Sequence, residues 1–142
     1  MKNALKKPAQ RSAPDLGNLP EWNLADLYPA MDSPLLATDL SRAADMALAF
    51  ENNWKGGLEK AAREARLGQS VKDYEALEEL IGRIASYAGL IYAGDTSDPA
   101  RAKFYGDVQE KMTDASTHLL FFSLELNRIG DEALTQAMET DP

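Results

Sequence analysis

Residues 86–105, SYAGLIYAGDTSDPARAKFY, decide how this chain folds. A mostly apolar run ends in the polar turn GDTSDP, and a charged, aromatic run follows the turn at once. Asp98 and Pro99 are typical of a helix start, because aspartate caps free backbone N–H groups and proline fits the first helical turn. Gly94 suits the left-handed residue that ends a helix. The stretch therefore predicts two helices joined by a short bend and not a binding loop.

Apolar residues recur at spacings of three and four on both sides of this bend, which indicates amphipathic helices. The seam before the bend is Tyr74, Leu77, Ile81, Ile84, Ala88 and Ile91, and the seam after it is Phe104, Val108, Met112, Ala115, Leu119, Phe122 and Leu126. Because the connection is short, helices over about 70–94 and 99–128 are predicted to form a long antiparallel hairpin. The polar turn lacks the ligand spacing and the closing glutamate of a calcium-binding EF-hand.

A second stripe of small residues runs along the first helix of this hairpin. Its members are Gly82, Ser86 or Ala85, Gly89 and Ala93. A glycine inside a helix costs about 1 kcal/mol relative to alanine. A neighbouring backbone that approaches closely along the small residues would offset that cost. The stripe predicts that this helix is central in the fold.

The remaining helices follow from caps and spacing. Ser33 and Pro34 predict a helix start, and a seam of threes and fours leads from there to the glycine pair 56–57. The members of this seam are Leu36, Leu40, Ala43, Ala47, Phe50 and Trp54. A shorter charged helix is predicted to stop at Gly68.

Two further helix starts complete the predicted bundle. Ser70, with Asp73 three residues later, approximates a capping box for the first hairpin helix. Gly130 closes the second hairpin helix, and Asp131 caps a last one. The sequence stops soon after that helix begins, which suggests that the chain is part of a longer protein. The fold class predicted is all-α, a helical bundle.

The N-terminal part does not read as helix. Residues 1–18 are basic and rich in lysine and proline, which predicts a flexible tail ahead of a helical domain over 19–142. Closely spaced prolines then rule out a continuous helix. Between them stand the apolar residues Trp22, Leu24, Leu27 and Tyr28. They predict an irregular strap that anchors its side chains on the helical body.

Composition excludes several function classes. The net charge of −8 argues against nucleic acid or an anionic membrane as partner. No apolar run approaches the length that crosses a bilayer. The absence of cysteine excludes disulfides and thiolate metal sites. We expect a cytoplasmic protein, the basic N-terminus leaving a mitochondrial transit peptide as the lesser alternative.

Catalytic motifs are missing from the sequence. A zinc site needs about three ligands, and the chain has one histidine, His118, and no H-E-x-x-H pair. No nucleophile elbow, phosphate-binding glycine loop or dinucleotide motif is present. His118 precedes the apolar run LLFF, which favours a packed or interface histidine over a ligand or general base. We therefore predict no catalytic residue, metal ligand or cofactor in this chain.

Two segments together resemble a known family. LPEWNLADLYPAMDSP (residues 19–34) and SYAGLIYAGDTSDPARAKFYGDVQEKMTDASTHLLFFSLELNRI (residues 86–129) are similar to the N-terminal region of oligoendopeptidase F, in the thimet-type family of zinc metallopeptidases. The resemblance implies a helical, cytoplasmic parent enzyme that cleaves short peptides in a deep channel. Its zinc ligands would lie beyond the matched region, so no catalytic or metal residue carries over. The segment's implied role is channel wall or cap.

Three interpretations therefore stand side by side. The chain is the N-terminal helical domain of a zinc oligopeptidase, a free-standing acidic interaction module, or a helical bundle of another role. In the first interpretation the partners are the catalytic domain of the same polypeptide and short peptides, and the isolated chain forms a homodimer through leftover apolar surface. The residues predicted to face an interface or channel are Gly82, Gly89, Tyr87, Tyr92, Tyr105, His118 and Phe121.

Overall fold

A computed structural model describes Gly17 and residues 20–140 of the chain. Over these residues it contains α-helices joined by short turns and no strand, so the predicted all-α helical bundle is confirmed. The helices are α1 (Pro34–Trp54), α2 (Leu58–Arg63), α3 (Leu67–Gly94), α4 (Pro99–Thr117), α5 (Leu120–Leu126) and α6 (Asp131–Thr140). Nowhere in 20–140 is a helix both long and apolar enough to span a membrane. The tail predicted over 1–18 lies outside the described residues apart from Gly17.

The hairpin of α3 and α4 organises the bundle. α3 is central, since it packs against α1, α2 and α4, and α1 also packs on α4. In the bend, the Asp98 carboxylate accepts hydrogen bonds from the backbone N–H groups of Ala100 and Arg101, as an N-cap does. Asp95 accepts from the backbone N–H and the hydroxyl of Ser97. The polar residues of the turn therefore shape the bend itself.

The predictions made at two glycines are only partly confirmed. α3 ends at Gly94 as predicted, but the backbone of Gly94 is not left-handed. Gly68 does not end α2, because the chain already turns at Ala65, whose φ is +54°. This residue lets the N–H of Arg66 reach the carbonyl of Ala61, at 2.9 Å, and so closes α2 one turn early. Gly68 then lies in the first turn of α3.

Ser70 is also not the predicted cap. It lies inside α3, fully buried, and its hydroxyl donates to the Leu67 carbonyl at 2.6 Å. α3 therefore begins three residues before the predicted boundary. Asp73 is free for another role, and it accepts a hydrogen bond from the Trp54 indole N–H at 3.0 Å.

The second hairpin helix, predicted to run continuously over 99–128, is broken. α4 ends at Thr117 and α5 begins at Leu120. At the break, the N–H groups of His118 and Leu119 bond carbonyls only three residues back, a tighter turn than the α-helix. The Thr117 hydroxyl bonds the Asp114 carbonyl and so competes for a helical acceptor.

Aromatic side chains form much of the core. Phe50 lies 5.5 Å from Phe121 and 5.2 Å from Phe122 between ring centroids, and Tyr74 stacks on Phe122 at 4.6 Å. The strap contributes Tyr28, which is buried, and it packs Leu24 and Leu27 against the core in part. Trp22 is different: it is 65% exposed, so its predicted anchoring role is wrong.

The small-residue stripe faces outward. Gly82, Ser86 and Ala93 are exposed, and a Cβ added at Gly82 would meet no atom within 4 Å. At Gly89 the nearest atom would be Cε2 of Tyr105, at 4.0 Å. The predicted close backbone approach therefore does not occur in the described part of the chain, and nothing there offsets the cost of Gly82.

Candidate functional site

The predicted site residues lie in separate places. Tyr87 is buried beneath the strap, with its ring 5.2 Å from Tyr28 and 6.0 Å from Phe104. Phe121 is buried in the aromatic cluster around Phe50. Both side chains pack inside this chain.

Two other predicted residues meet on the hairpin. Tyr92 of α3 and Tyr105 of α4 stack with their ring centroids 5.1 Å apart and their planes within 7°. Both rings are half-buried, and Gly89 lies beside Tyr105. Gly82 stands apart on the exposed side of α3. That these residues face an interface or channel stays a prediction.

His118 lies at the break between α4 and α5. Its Nδ1 is 2.5 Å from Oε2 of Glu51, which links the break to α1, and about a third of its side chain is exposed. The Lys55 ammonium bonds the other oxygen of Glu51. These two hydrogen bonds hold the pKa of Glu51 below its usual range. The bond from Lys55 has the larger effect and the bond with His118 the smaller one.

A groove between α1 and α4 ends at His118. It encloses about 430 Å³, and its lining residues are Ala37, Leu40, Ser41, Ala44, Lys111, Asp114, Ala115 and His118. Its lining combines alanines and a leucine with polar side chains. Within 20–140 no three His, Cys, Asp or Glu side chains form a set that could hold a metal ion. The groove is large enough to hold a small molecule, but its lining residues do not form a recognisable group of catalytic side chains.

A second cavity lies between the strap and the tip of the hairpin. It encloses about 390 Å³, and its lining residues are Pro20, Glu21, Trp22, Leu24, Leu90, Ile91, Ala93, Gly94 and Arg101. Apolar and polar groups contribute to its walls in nearly equal parts. Arg101 provides a cationic group and Glu21 an anionic one.

Sequence reasoning missed a buried polar pair. The Tyr28 hydroxyl donates to Oδ2 of Asp39 at 2.8 Å, and Asp39 is 2% exposed. Arg42 lies 3.2 Å from the same carboxylate, and Arg83 covers the Tyr28 ring at 4.7 Å and donates to the Leu27 carbonyl. Burial raises the pKa of Tyr28 most, the hydrogen bond to Asp39 adds to this effect, and the pKa reaches about 12. The pair fastens the strap to α1.

A signal for this pair was present in the sequence. Asp39 stands three residues after Leu36 and four before Ala43, so it occupies a position of the buried face of α1. The seam read from the sequence used Leu40 there, which is only partly buried. A carboxylate at such a position needs a partner, because an unpaired buried charge is costly.

The candidate features of the described residues are thus the two cavities and the buried Tyr28–Asp39 pair. Compared with protein-family models, with curated proteins and with solved structures, the chain has no match in any of the three.

Proposed function

We propose that this chain is the non-catalytic N-terminal helical domain of a zinc-dependent oligoendopeptidase of the oligoendopeptidase F type, which hydrolyses short peptides in the cytoplasm. Its helices form part of the wall or cap of the substrate channel and support the catalytic domain. The proposal is supported by the resemblance of residues 19–34 and 86–129 to that family and by the all-α fold.

The observation that carries this proposal is apolar surface near the end of the described chain. Leu120 and Leu124, one helical turn apart on α5, are 65% and 58% exposed. Met138 on α6 is 79% exposed, and Leu134, one turn before it, is also exposed. Single exposed leucines are ordinary, but pairs on successive turns are typical of a contact surface. In this proposal the catalytic domain covers them.

Zinc belongs to that other domain. The described residues do not fit a zinc site, because they contain no set of three suitable ligands. No catalytic step is therefore assigned to this chain. Its part in peptide hydrolysis is to limit access to short, unfolded substrates and to hold the catalytic domain in place.

The reading frame of the gene provides the first test. Continuation past the codon for Pro142 into a segment that encodes H-E-x-x-H supports the proposal, and a stop codon directly after Pro142 contradicts it. The second test is enzymatic. The purified chain, supplied with zinc, is expected to leave a quenched fluorogenic peptide uncleaved. Turnover that EDTA abolishes would overturn the assignment.

A free-standing acidic interaction module is the alternative function. The same exposed leucines favour it, with a separate protein as their partner. In that case the reading frame stops at Pro142, and replacing Leu120 and Leu124 by serine abolishes capture of the partner while the helical content is kept.

A further inference from the structure

We infer that the cavity between the strap and the hairpin tip binds a small carboxylate with an apolar or aromatic body. Arg101 holds the carboxylate, and Trp22 packs on the body. This inference concerns a second ligand site, and it does not depend on the proposed function.

The size and lining of the cavity suit such a ligand. Its volume of about 390 Å³ lies in the range of about 300–1,000 Å³ that is usual for small-molecule sites. Leu24, Leu90 and Ile91 form apolar walls. Trp22, 65% exposed, borders the cavity with a large apolar surface that packing in the core leaves unused.

Arg101 has donors to spare. A guanidinium carries five N–H groups, and the hydrogen bond that this one makes within the described residues runs from Nη1 to the Ile91 carbonyl, at 3.3 Å. Glu21 Oε1 is 3.5 Å from Nη2 and Asp98 Oδ2 is 3.6 Å from Nε. Charge-assisted N–H···O bonds are about 2.7–2.9 Å long. Neither carboxylate lies at that distance, so N–H groups of Arg101 remain available to a carboxylate that approaches more closely.

The acidic residues near Arg101 differ in how easily a ligand could displace them. Asp98 is committed to the N-cap of α4, and Asp95 to the Ser97 N–H and hydroxyl. Glu21 belongs to the strap, is 75% exposed and accepts no such hydrogen bond from the residues that the structure describes. Exposed ion pairs contribute little to stability. A ligand carboxylate would therefore displace Glu21, while the remaining acids lower its affinity.

Gly94 gives independent support. Its backbone has no left-handed φ, so conformation does not demand a glycine there. A Cβ at this position would lie 2.9 Å from Nη1 of Arg101, so a larger residue would push the guanidinium away from its present position. The missing side chain allows the guanidinium to lie against the end of α3, at the wall of the cavity.

Binding is tested by NMR titration with N-acetylphenylalanine as the probe. The indole N–H signal of Trp22 is expected to shift and saturate. That of Trp54, which is buried and bonded to Asp73, serves as the internal control and stays in place. The carboxamide of the same probe is expected to bind at least about tenfold more weakly, because it cannot form charged hydrogen bonds. Equal binding of acid and amide would overturn the inference.

A peptide probe separates two sources of the same chemistry. Ala-Ala-Phe carries the carboxylate at a peptide C-terminus, while N-acetylphenylalanine represents a free small acid. Binding of either probe through Arg101 supports the site, and the tighter probe identifies the source. Failure of both contradicts it.

Variants assign the contact to Arg101. Arg101→Gln is expected to lose about tenfold in affinity. Arg101→Lys keeps the charge but cannot bind a carboxylate through two parallel N–H groups, and it is expected to lose several-fold. Glu21→Gln removes the competitor and tightens binding several-fold. Lys103→Gln makes the same charge change as Arg101→Gln two residues along α4, outside the cavity, and leaves affinity unchanged. Unchanged binding in Arg101→Gln, or weaker binding in Glu21→Gln, refutes the assignment. The Glu21 result decides even if Arg101→Gln unfolds.

Discussion

At the scale of single residues, the Tyr28–Asp39 pair has the largest consequence for stability. Tyr28 is 1% exposed and Asp39 is 2% exposed, so neither can exchange its partner for water. Removing one side of a buried hydrogen bond to a charged group leaves the other side without compensation. Trp22 is 65% exposed, so the strap is held mainly by this pair and by the partly buried Leu24 and Leu27.

Tyr28→Phe is expected to destabilise the protein by about 1.5–3 kcal/mol, since the buried Asp39 carboxylate loses its donor. Urea unfolding followed by circular dichroism measures the effect. Tyr92→Phe is the matched control: Tyr92 is half-buried, and removal of its hydroxyl is expected to change stability by less than about 0.5 kcal/mol. Equal losses in the two variants would show that the Asp39 bond contributes nothing special.

The pKa of Tyr28 predicts a loss of stability in alkali. Its pKa of about 12 in the folded state lies above the ordinary tyrosine value of 10.0, so the folded state holds the proton more tightly than the unfolded state does. The stabilisation is complete below pH 10 and is lost as the pH rises through 12. Thermal unfolding of Tyr28→Phe is expected to depend less on pH in this window than that of the wild type. A parallel decline in both proteins would contradict the assignment.

At the scale of helices, two glycines differ in whether their position needs a glycine. Gly82 is inside α3, exposed, with no atom within 4 Å of an added Cβ. Gly56 has a φ of +77° and ends α1 in the left-handed region. Gly82→Ala is therefore expected to stabilise the isolated chain by about 1 kcal/mol, and Gly56→Ala to destabilise it by a similar amount. Chemical denaturation of both variants checks the contrast, which fails if the two shifts have the same sign.

The break between α4 and α5 predicts sensitivity to acid. The pKa of Glu51 is lowered in the folded state by its hydrogen bonds with Lys55 and then His118. A depressed carboxylate pKa stabilises the fold above the unfolded value, 4.5, and this contribution is lost as the pH falls through the lower folded value. Glu51→Gln is expected to melt below the wild type at pH 7, and the gap is expected to close below pH 4.5. A gap independent of pH would rule this out.

Sequence reasoning succeeded where the signals are local. The hairpin follows from the spacing of apolar residues and from Asp98 with Pro99 as cap and first residue. The break at His118 was missed, because apolar residues keep helical spacing across it and the tie to Glu51 crosses 67 residues. Gly68 misled for a similar reason, since Ala65 had already turned the chain. The cavity at Arg101 was missed because the strap that forms one of its walls is distant from the hairpin in sequence.

At the scale of the whole molecule, charge and apolar surface act against each other. A net charge of −8 keeps copies apart, while Leu120 and Leu124 expose an apolar pair. The predicted homodimer forms only if the contact between the exposed leucines outweighs the charge repulsion between copies. Light scattering is expected to show a mass that rises with protein concentration and more strongly in high salt, which screens the repulsion.

Leu120→Glu combined with Leu124→Glu is expected to abolish that rise in mass. The matched control is Leu35→Glu, which adds a charge at an exposed leucine of α1. A wild type that stays monomeric at high concentration, or self-association that survives the double substitution, would remove α5 as the contact surface.

The bond between Arg83 and the Leu27 carbonyl has a consequence during biosynthesis. The two residues are 56 positions apart, so the strap leaves the ribosome well before the side chain that secures it. At roughly 5–20 residues per second the delay is on the order of several seconds. Throughout that interval the prolines and apolar side chains of the strap are accessible to nascent-chain chaperones. The strap is thus translated well before α3, whose Arg83 secures it.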